Sequence, residues 1–283
     1  MKLGISSYAY GWAVGAGRAS DASINALGWG NQAAPQLALN EIGLLHRAQQ
    51  FGLNLVQFGD HMPLHEFDDA RLQQLKQHAA RHDIELEIGA RGLTFDHVVT
   101  YARLARELNA PLLRFVIDAP NYHPAPDEVP NILRSALPHL EGTTLGIENH
   151  DRFPARVLRD MIEAVGSEGV GVCLDTANSL GAGEGIGEVA EVLAPYTVNL
   201  HIKDFTIERL PYLMGFTVSG RPAGGGMLNV PELLQQLQAH GRCRSVILET
   251  WVPPQASLAE TVKKEAEWVD ASVQYLKGFS WSS

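Results

Sequence analysis

The chain has 283 residues, 45% of them hydrophobic, and a formal net charge of -10. That is enough apolar material for one large core, and the acidic balance repels phosphate backbones, which excludes nucleic acid as an expected partner. Two cysteines, Cys173 and Cys243, are too few for a disulfide framework, the opening MKLGISSYAY lacks a signal-peptide core, and no apolar run approaches the ~18 residues of a membrane span, so the expectation is a cytoplasmic protein with no membrane partner.

Short β-rich runs alternate with longer amphipathic stretches eight times along the chain. The predicted strands are 2–6, 54–58, 85–89, 112–116, 145–148, 170–175, 198–202 and 246–249. Most read as apolar at both parities, as expected of parallel strands covered on one side and packed inside on the other. After the first strand comes a long connection, 8–37, with Trp12, Trp29 and several glycines; Tyr8, Tyr10 and Trp12 offer either an apolar wall for a ligand or core packing. His61 follows the second strand. Arg91 and Arg114 lie at or near the third and fourth, and a buried arginine there requires carboxylate partners. LGIENHD ends the fifth strand with Glu148, followed by His150 and Arg152. GVCLDTAN ends the sixth with Asp175 and then Asn178. The glycines of GAGEGIGE fail the dinucleotide spacing, since Ile186 and Glu188 stand where glycine is needed, so no NAD is expected and the run reads as a flexible loop.

The seventh strand runs into HIKD, placing His201, Lys203 and Asp204 together. A second long connection follows, 205–230, with Arg221 in a glycine-rich stretch; loops of this length in a compact domain are lids or binding loops. VILETW ends the eighth strand with Glu249. The last helix is the plainest: Leu258, Val262, Ala266, Val269, Val273 and Leu276 recur at spacings of three and four, opened by a Ser257/Glu260 capping box. Pro154 and Pro231 mark two further helix starts. Eight β-then-α units without a domain boundary predict an α/β fold, a single (β/α)₈ TIM barrel over 1–283 with long loops after strands 1 and 7; an open doubly wound sheet is the alternative.

In that barrel Glu148, Asp175, His201 and Glu249 share the C-terminal rim on four successive strands. One strand-end carboxylate alone is as readily a helix cap or an ion-pair partner. Three carboxylates and an imidazole together repel one another unless a cation joins them. The oxygen-rich set points to one divalent ion, Mn²⁺ first, with Mg²⁺, Co²⁺ or Zn²⁺ as alternatives. Asp204 reads as structural, holding a loop. His61, Arg91, His150, Arg152, Asn178, Lys203 and Arg221 are the candidate substrate-binding residues, the arginines as clamps for a carboxylate or phosphate.

The motifs IEN, LDT, HIKD and LET, in this order at these strand ends, resemble the xylose isomerase-like TIM barrels, the sugar isomerases and epimerases related to endonuclease IV. The resemblance spans nearly the whole chain and implies that Glu148, Asp175, His201 and Glu249 are the metal ligands. It also implies that Glu148 and Glu249 act as acid/base groups on opposite faces of a small carbohydrate substrate, and that the protein is a homo-oligomer. Where many members carry a histidine, this chain has Asn178. Arg91 likewise replaces a histidine, and an Asp-x-His pair after His201 is missing, which argues against the DNA-repair branch.

The expected function is therefore that of a divalent-metal-dependent isomerase or epimerase of a small sugar, keto-sugar or sugar acid, acting through an enediolate. The same chemistry permits a metal-dependent decarboxylase or lyase of a 3-oxo sugar acid. A binding protein that had lost catalysis would be marked by a missing ligand, and all four are present.

Overall fold

The computed structural model describes residues 1–15, 39–212 and 214–281. Its centre is a closed parallel barrel of eight strands: β1 (Lys2–Ser6), β2 (Leu55–Phe58), β3 (Glu85–Arg91), β4 (Leu112–Val116), β5 (Thr144–Glu148), β6 (Val170–Asp175), β7 (Thr197–Ile202) and β10 (Ser245–Leu248). β1 closes the ring by pairing with both β2 and β10. Around it lie α1 (Glu41–Gln50), α2 (Asp69–Arg81), α3 (Phe95–Leu108), α4 (Val129–Leu140), α5 (Ala155–Val165), α6 (Ile186–Leu193), α7 (Val230–His240) and α8 (Leu258–Leu276). The eight-fold alternation read from the sequence is this barrel, with strand limits displaced by one or two residues.

Helix starts follow local chemistry. Ser257 accepts the Glu260 amide at 3.2 Å to open α8, and Pro231 occupies the first turn of α7, where an N–H has no helical partner. Leu258, Val269, Val273 and Leu276 are the buried stripe of α8.

The expectation of strands apolar at both parities needs correction. Paired residues of parallel strands share a face. Outward positions such as Val56, Ile88, Phe115, Ile147, Leu174, Leu200 and Leu248 are all apolar and buried under the helices. Inward positions toward the C-terminal end are mostly polar or glycine, with Val116 and Ile247 as apolar exceptions. Gln57 pairs with Glu87, Gly89 with Arg114, Arg114 with Gly146, Glu148 with Cys173, and Asp175 with His201. Glycine makes room there: a Cβ on Gly89 would stand 3.2 Å from Arg114 Cδ. A polar network shares the barrel interior with a few apolar side chains, Leu55, Leu112 and Ile247 among them.

The two long connections differ. After β1 the chain forms a 3₁₀ turn, Ser7–Tyr10; most of the expected first loop, 16–38 with Trp29, lies outside the described residues. The second is not an irregular lid. Its first half is an antiparallel hairpin, β8 (Asp204–Arg209) with β9 (Phe216–Arg221), because β-branched Thr206, Ile207, Thr217 and Val218 flank a Pro/Gly-bearing turn. The glycine-rich half follows it into α7. The GAGEGIGE stretch, 181–188, is likewise not all loop: a 3₁₀ turn over Asn178–Ala182 runs into its start and α6 begins at Ile186.

Candidate metal centre

Glu148, Asp175, His201 and Glu249 sit at or just past the ends of β5, β6, β7 and β10, each at most 2% exposed. Strand pairing turns them inward: Asp175 and His201 are level, His201 is level with Ile247, and Glu249 lies two residues beyond on the same face. His201 Nδ1 is the meeting point, at 3.4 Å from Glu249 Oε1, 3.8 Å from Glu148 Oε2 and 3.9 Å from Asp175 Oδ2. Two ligands on one ion with bonds of about 2.1 Å lie roughly 3–4 Å apart, so these spacings suit a shared cation.

The unfilled hydrogen-bonding positions point the same way. His201 Nδ1 and Glu249 Oε1 are buried without a hydrogen-bond partner, and Asp175 Oδ2 and Glu249 Oε2 meet only the Lys203 ammonium. Such atoms are costly unless something else meets them. The tautomer of His201 is set behind it. Gln57 Nε2 donates to Glu87 Oε2 at 2.9 Å and to Asn199 Oδ1 at 3.2 Å, which leaves Gln57 Oε1 to accept from His201 Nε2 at 2.6 Å. The lone pair of Nδ1 therefore faces the carboxylates, the arrangement a ligating imidazole needs. Cys173 is also close to Glu148 and His201, but burial pushes its thiol far up and Glu148 adds to that; it donates to Asn199 and is a poor ligand.

Cations surround the cluster. Lys203 Nζ is 2.8 Å from Asp175 Oδ2 and 2.9 Å from Glu249 Oε2. Burial alone would lower its pKa; Asp175, Glu249 and Glu148 outweigh that and hold it well above the ordinary lysine value. Arg114 contacts Glu148 through Nε and Asp60 through Nη1 at 2.7 Å, and those acids overcome burial to keep it firmly charged. Glu249 would be raised by burial, but the charges of Lys203 and Arg114 hold it far below the carboxylate range. Four carboxylates, with Asp60, thus meet Arg91, Arg114 and Lys203, leaving a net negative site that attracts a cation.

Of the predicted substrate residues, four face this cluster. Asn178 binds Glu148 Oε1 through Nδ2 at 2.7 Å and Asp175 Oδ1 through its backbone N–H at 2.9 Å. Lys203 bridges Asp175 and Glu249. His61 packs edge-on against Tyr8 with ring centroids 4.1 Å apart, and both its ring nitrogens are buried without partners. Burial, with Arg114 adding to it, lowers its pKa to about 4, so it presents a neutral imidazole. Arg91 reaches Asp60 at 3.5 Å with its side chain 41% exposed. The other three are engaged elsewhere. Arg152 forks onto Asp118 at 2.5 and 2.7 Å, His150 contacts Asp151 at 2.6 Å, and Arg221 pairs with Glu208 at 3.2 Å on the hairpin.

Sequence reading missed Asp60, Gln57, Glu87 and Asn149. Asn149 ties β5 to β6, accepting the Asp175 amide at 2.6 Å and donating to the Asp175 carbonyl at 2.9 Å. The usable signal was polar residues at the inward parity of otherwise apolar strands. Tyr8 donates to Asp60 at 3.2 Å and also borders a cleft of about 470 Å³ lined by Trp12, Val218, Trp251 and Pro253. Asp204 faces away from the cluster and holds the glycine-rich connection, as expected.

Comparison with known proteins places the fold in a family. A 3-oxo-isoapionate decarboxylase from Pectobacterium atrosepticum is 34% identical over 278 residues, 98% of this chain and 95% of that protein. D-psicose 3-epimerase with D-tagatose from Clostridium cellulolyticum H10 superposes with a TM-score of 0.69 at 16% identity, covering 98% of this chain and 97% of its own. A xylose isomerase-like TIM barrel protein from Mycobacterium smegmatis in complex with magnesium gives 0.64 at 15% identity, over 83% and 89%. The family profile of the xylose isomerase-like TIM barrel matches residues 45–277. The chain belongs to the xylose isomerase-like TIM barrel family.

Proposed function

We propose that this protein is a divalent-metal-dependent decarboxylase of a 3-oxo sugar acid, with Glu148, Asp175, His201 and Glu249 as the ligands and Mn²⁺ the first choice of ion. The observation that carries the reading is the asymmetry of the two glutamates. Both Glu148 oxygens are engaged, one by Arg114 and one by Asn178, whereas Glu249 meets only the Lys203 ammonium, on Oε2, and its Oε1 has no hydrogen-bond partner. Epimerisation takes a proton from one face and returns one to the other, so it needs two competent bases. Decarboxylation needs an electron sink and one proton donor. The decarboxylase relative, at 34% identity across almost the whole chain, supports the same choice. The sequence placed epimerisation first; the occupied Glu148 reverses that order.

When bound, the ion supplies Lewis-acid polarisation of the 3-oxo group and stabilises the negative charge that develops on its oxygen. The chain's residues do the rest. Arg91, half-exposed beside Asp60, orients the substrate carboxylate at the mouth. The C–C bond to that carboxylate breaks, CO₂ leaves, and the electron pair passes into the carbonyl to give an enolate. Lys203 carries a proton at Nζ within 3 Å of two ligand carboxylates, and we assign it the return of that proton to carbon. His61 offers a neutral donor–acceptor pair to the substrate hydroxyls, and Asn178 holds Glu148 and Asp175 in place.

The test is turnover of a 3-oxo sugar acid in D₂O with Mn²⁺ present. CO₂ released in step with substrate loss, and one deuterium in the product, is expected. A second reading, epimerisation, rests on Glu148 and Glu249 both bordering His201 Nδ1; deuterium exchange into a ketose without loss of carbon would establish it and overturn the first.

A further inference from the structure

Away from the barrel mouth, three histidines on two neighbouring helices are arranged as a ligand set. His46 lies on α1. His78 and His82 lie four residues apart at the C-terminal end of α2 and so share one helix face. One nitrogen from each of the three lies within 4.8 Å of the others. The ring centroids are 5.4 Å apart for His46 and His78, 5.7 Å for His78 and His82, and 6.3 Å for His46 and His82. Nitrogens bonded to one ion at about 2.0–2.1 Å with tetrahedral angles stand about 3.4 Å apart. Closing from separations of at most 4.8 Å takes modest side-chain rotation, which the surface position of these rings allows: His46 is exposed and the other two are half-buried.

The surroundings favour neutral rings and a bound cation. The Gln49 side-chain amide lies 3.1 Å from His82 Nδ1, bracing that ring by one nitrogen and leaving the other free to ligate. Three imidazoles crowded together repel once protonated and gain once an ion joins them. α1 and α2 both end on this side, where the partial negative charge of helix C-termini adds to the attraction.

We propose that His46, His78 and His82 form a second metal site, specific for a nitrogen-preferring ion, Zn²⁺, and that it pins α1 to α2. In a barrel the helices end at the face opposite the strand C-termini, so this site is remote from the rim cluster. An all-imidazole set suits Zn²⁺, whereas Mn²⁺ and Mg²⁺ prefer oxygen. The two sites therefore separate by ion.

Equilibrium dialysis of the whole protein with Zn²⁺ alone and with Mn²⁺ alone tests this, comparing the parent chain with His46→Ala, His78→Ala and His82→Ala and with His240→Ala on α7 as control. The expected result is one more Zn²⁺ than Mn²⁺ per chain, with that extra Zn²⁺ bound at least tenfold more weakly in each of the three variants and unaffected in the control. Mn²⁺ binding and turnover stay at parental levels, which shows that the variants are folded. A Zn²⁺ count unchanged across all three overturns the proposal. A second measurement needs no substitution: saturating Zn²⁺ should protect His46, His78 and His82, but not His240, from diethylpyrocarbonate as read by mass spectrometry. Equal modification of the three with and without Zn²⁺ likewise overturns it.

Discussion

Asp204 and the Asp175/Glu249 pair are equally buried carboxylates with opposite roles. Asp204 is 1% exposed, and Asp175 and Glu249 are 0% and 2%. Each Asp204 oxygen accepts two backbone N–H groups: Phe205 and Leu228 on Oδ1, Gly224 and Gly226 on Oδ2, all between 2.8 and 3.0 Å. Its bonding capacity is filled, and it acts as a clasp on the connection that carries β9 into α7. A Cβ at Gly226 would stand 2.2 Å from Oδ1, so the clasp also requires that glycine. Asp175 Oδ2 and both Glu249 oxygens have no such donors. Burial alone therefore does not separate the two: Asp204 is closed by four backbone donors, whereas Asp175 Oδ2 and Glu249 Oε2 meet only the Lys203 ammonium and Glu249 Oε1 has no donor.

The largest effects should separate these two groups. Asp175→Asn is expected to abolish binding of Mn²⁺ and to lower turnover by about a thousandfold, while Asp204→Asn keeps Mn²⁺ and instead loses about 3 kcal/mol of stability in urea unfolding, because an amide presents N–H groups to backbone donors. Loss of metal in Asp204→Asn with unchanged stability would erase the distinction. Next comes Lys203→Met, expected to lower kcat about a hundredfold or more with Mn²⁺ still bound, since the proton donor goes while the ligands stay. A change confined to KM would move Lys203 from proton transfer to substrate binding.

Smaller effects sharpen the contrast behind the ligands. Gln57→Met removes the acceptor that orients His201 Nε2–H and should weaken Mn²⁺ about 10–100-fold by calorimetry. Unchanged affinity would show that the ring is held by packing alone. Glu87→Gln gives the subtlest effect. Burial raises Glu87 from 4.5 to about 7, against the hydrogen bonds from Ser245 and Gln57. Between those values the folded chain holds a proton that the unfolded chain has released. Its stability is thus full below pH 4.5 and falls as pH rises toward 7, by at most about 3 kcal/mol. The variant should gain on the parent by up to that amount between pH 5 and pH 8 in urea unfolding. A constant difference across that range would contradict the raised value.

Much of this was legible in the sequence. The eight β/α units, the rim position of Glu148, Asp175, His201 and Glu249, and the structural role of Asp204 follow from alternation and from polar residues at strand ends. What was lost has a physical cause in each case. Gln57 and Glu87 lie mid-strand, where their inward parity only acquires meaning once β2, β3 and β7 face one another across the barrel. Asp60 is recognisable only through Arg114, 54 residues away. The β8–β9 hairpin was hidden because the glycine run Gly224–Gly226 just after it marks the whole connection as a loop, although β-branched Thr206 and Ile207 on one arm and Thr217 and Val218 on the other favour strands. Arg152 and Arg221 looked like substrate clamps because nothing local reveals Asp118 or Glu208 as their partners.

The central claim is a single oxygen-rich metal site made by four successive barrel strands. Equilibrium dialysis against Mn²⁺, with Asp175→Asn and His201→Ala beside the parent chain, tests it most directly. The account predicts one Mn²⁺ per parent chain and none in either variant, with all three chains folded. Parental Mn²⁺ binding in both variants, or no Mn²⁺ on the folded parent chain, would contradict it.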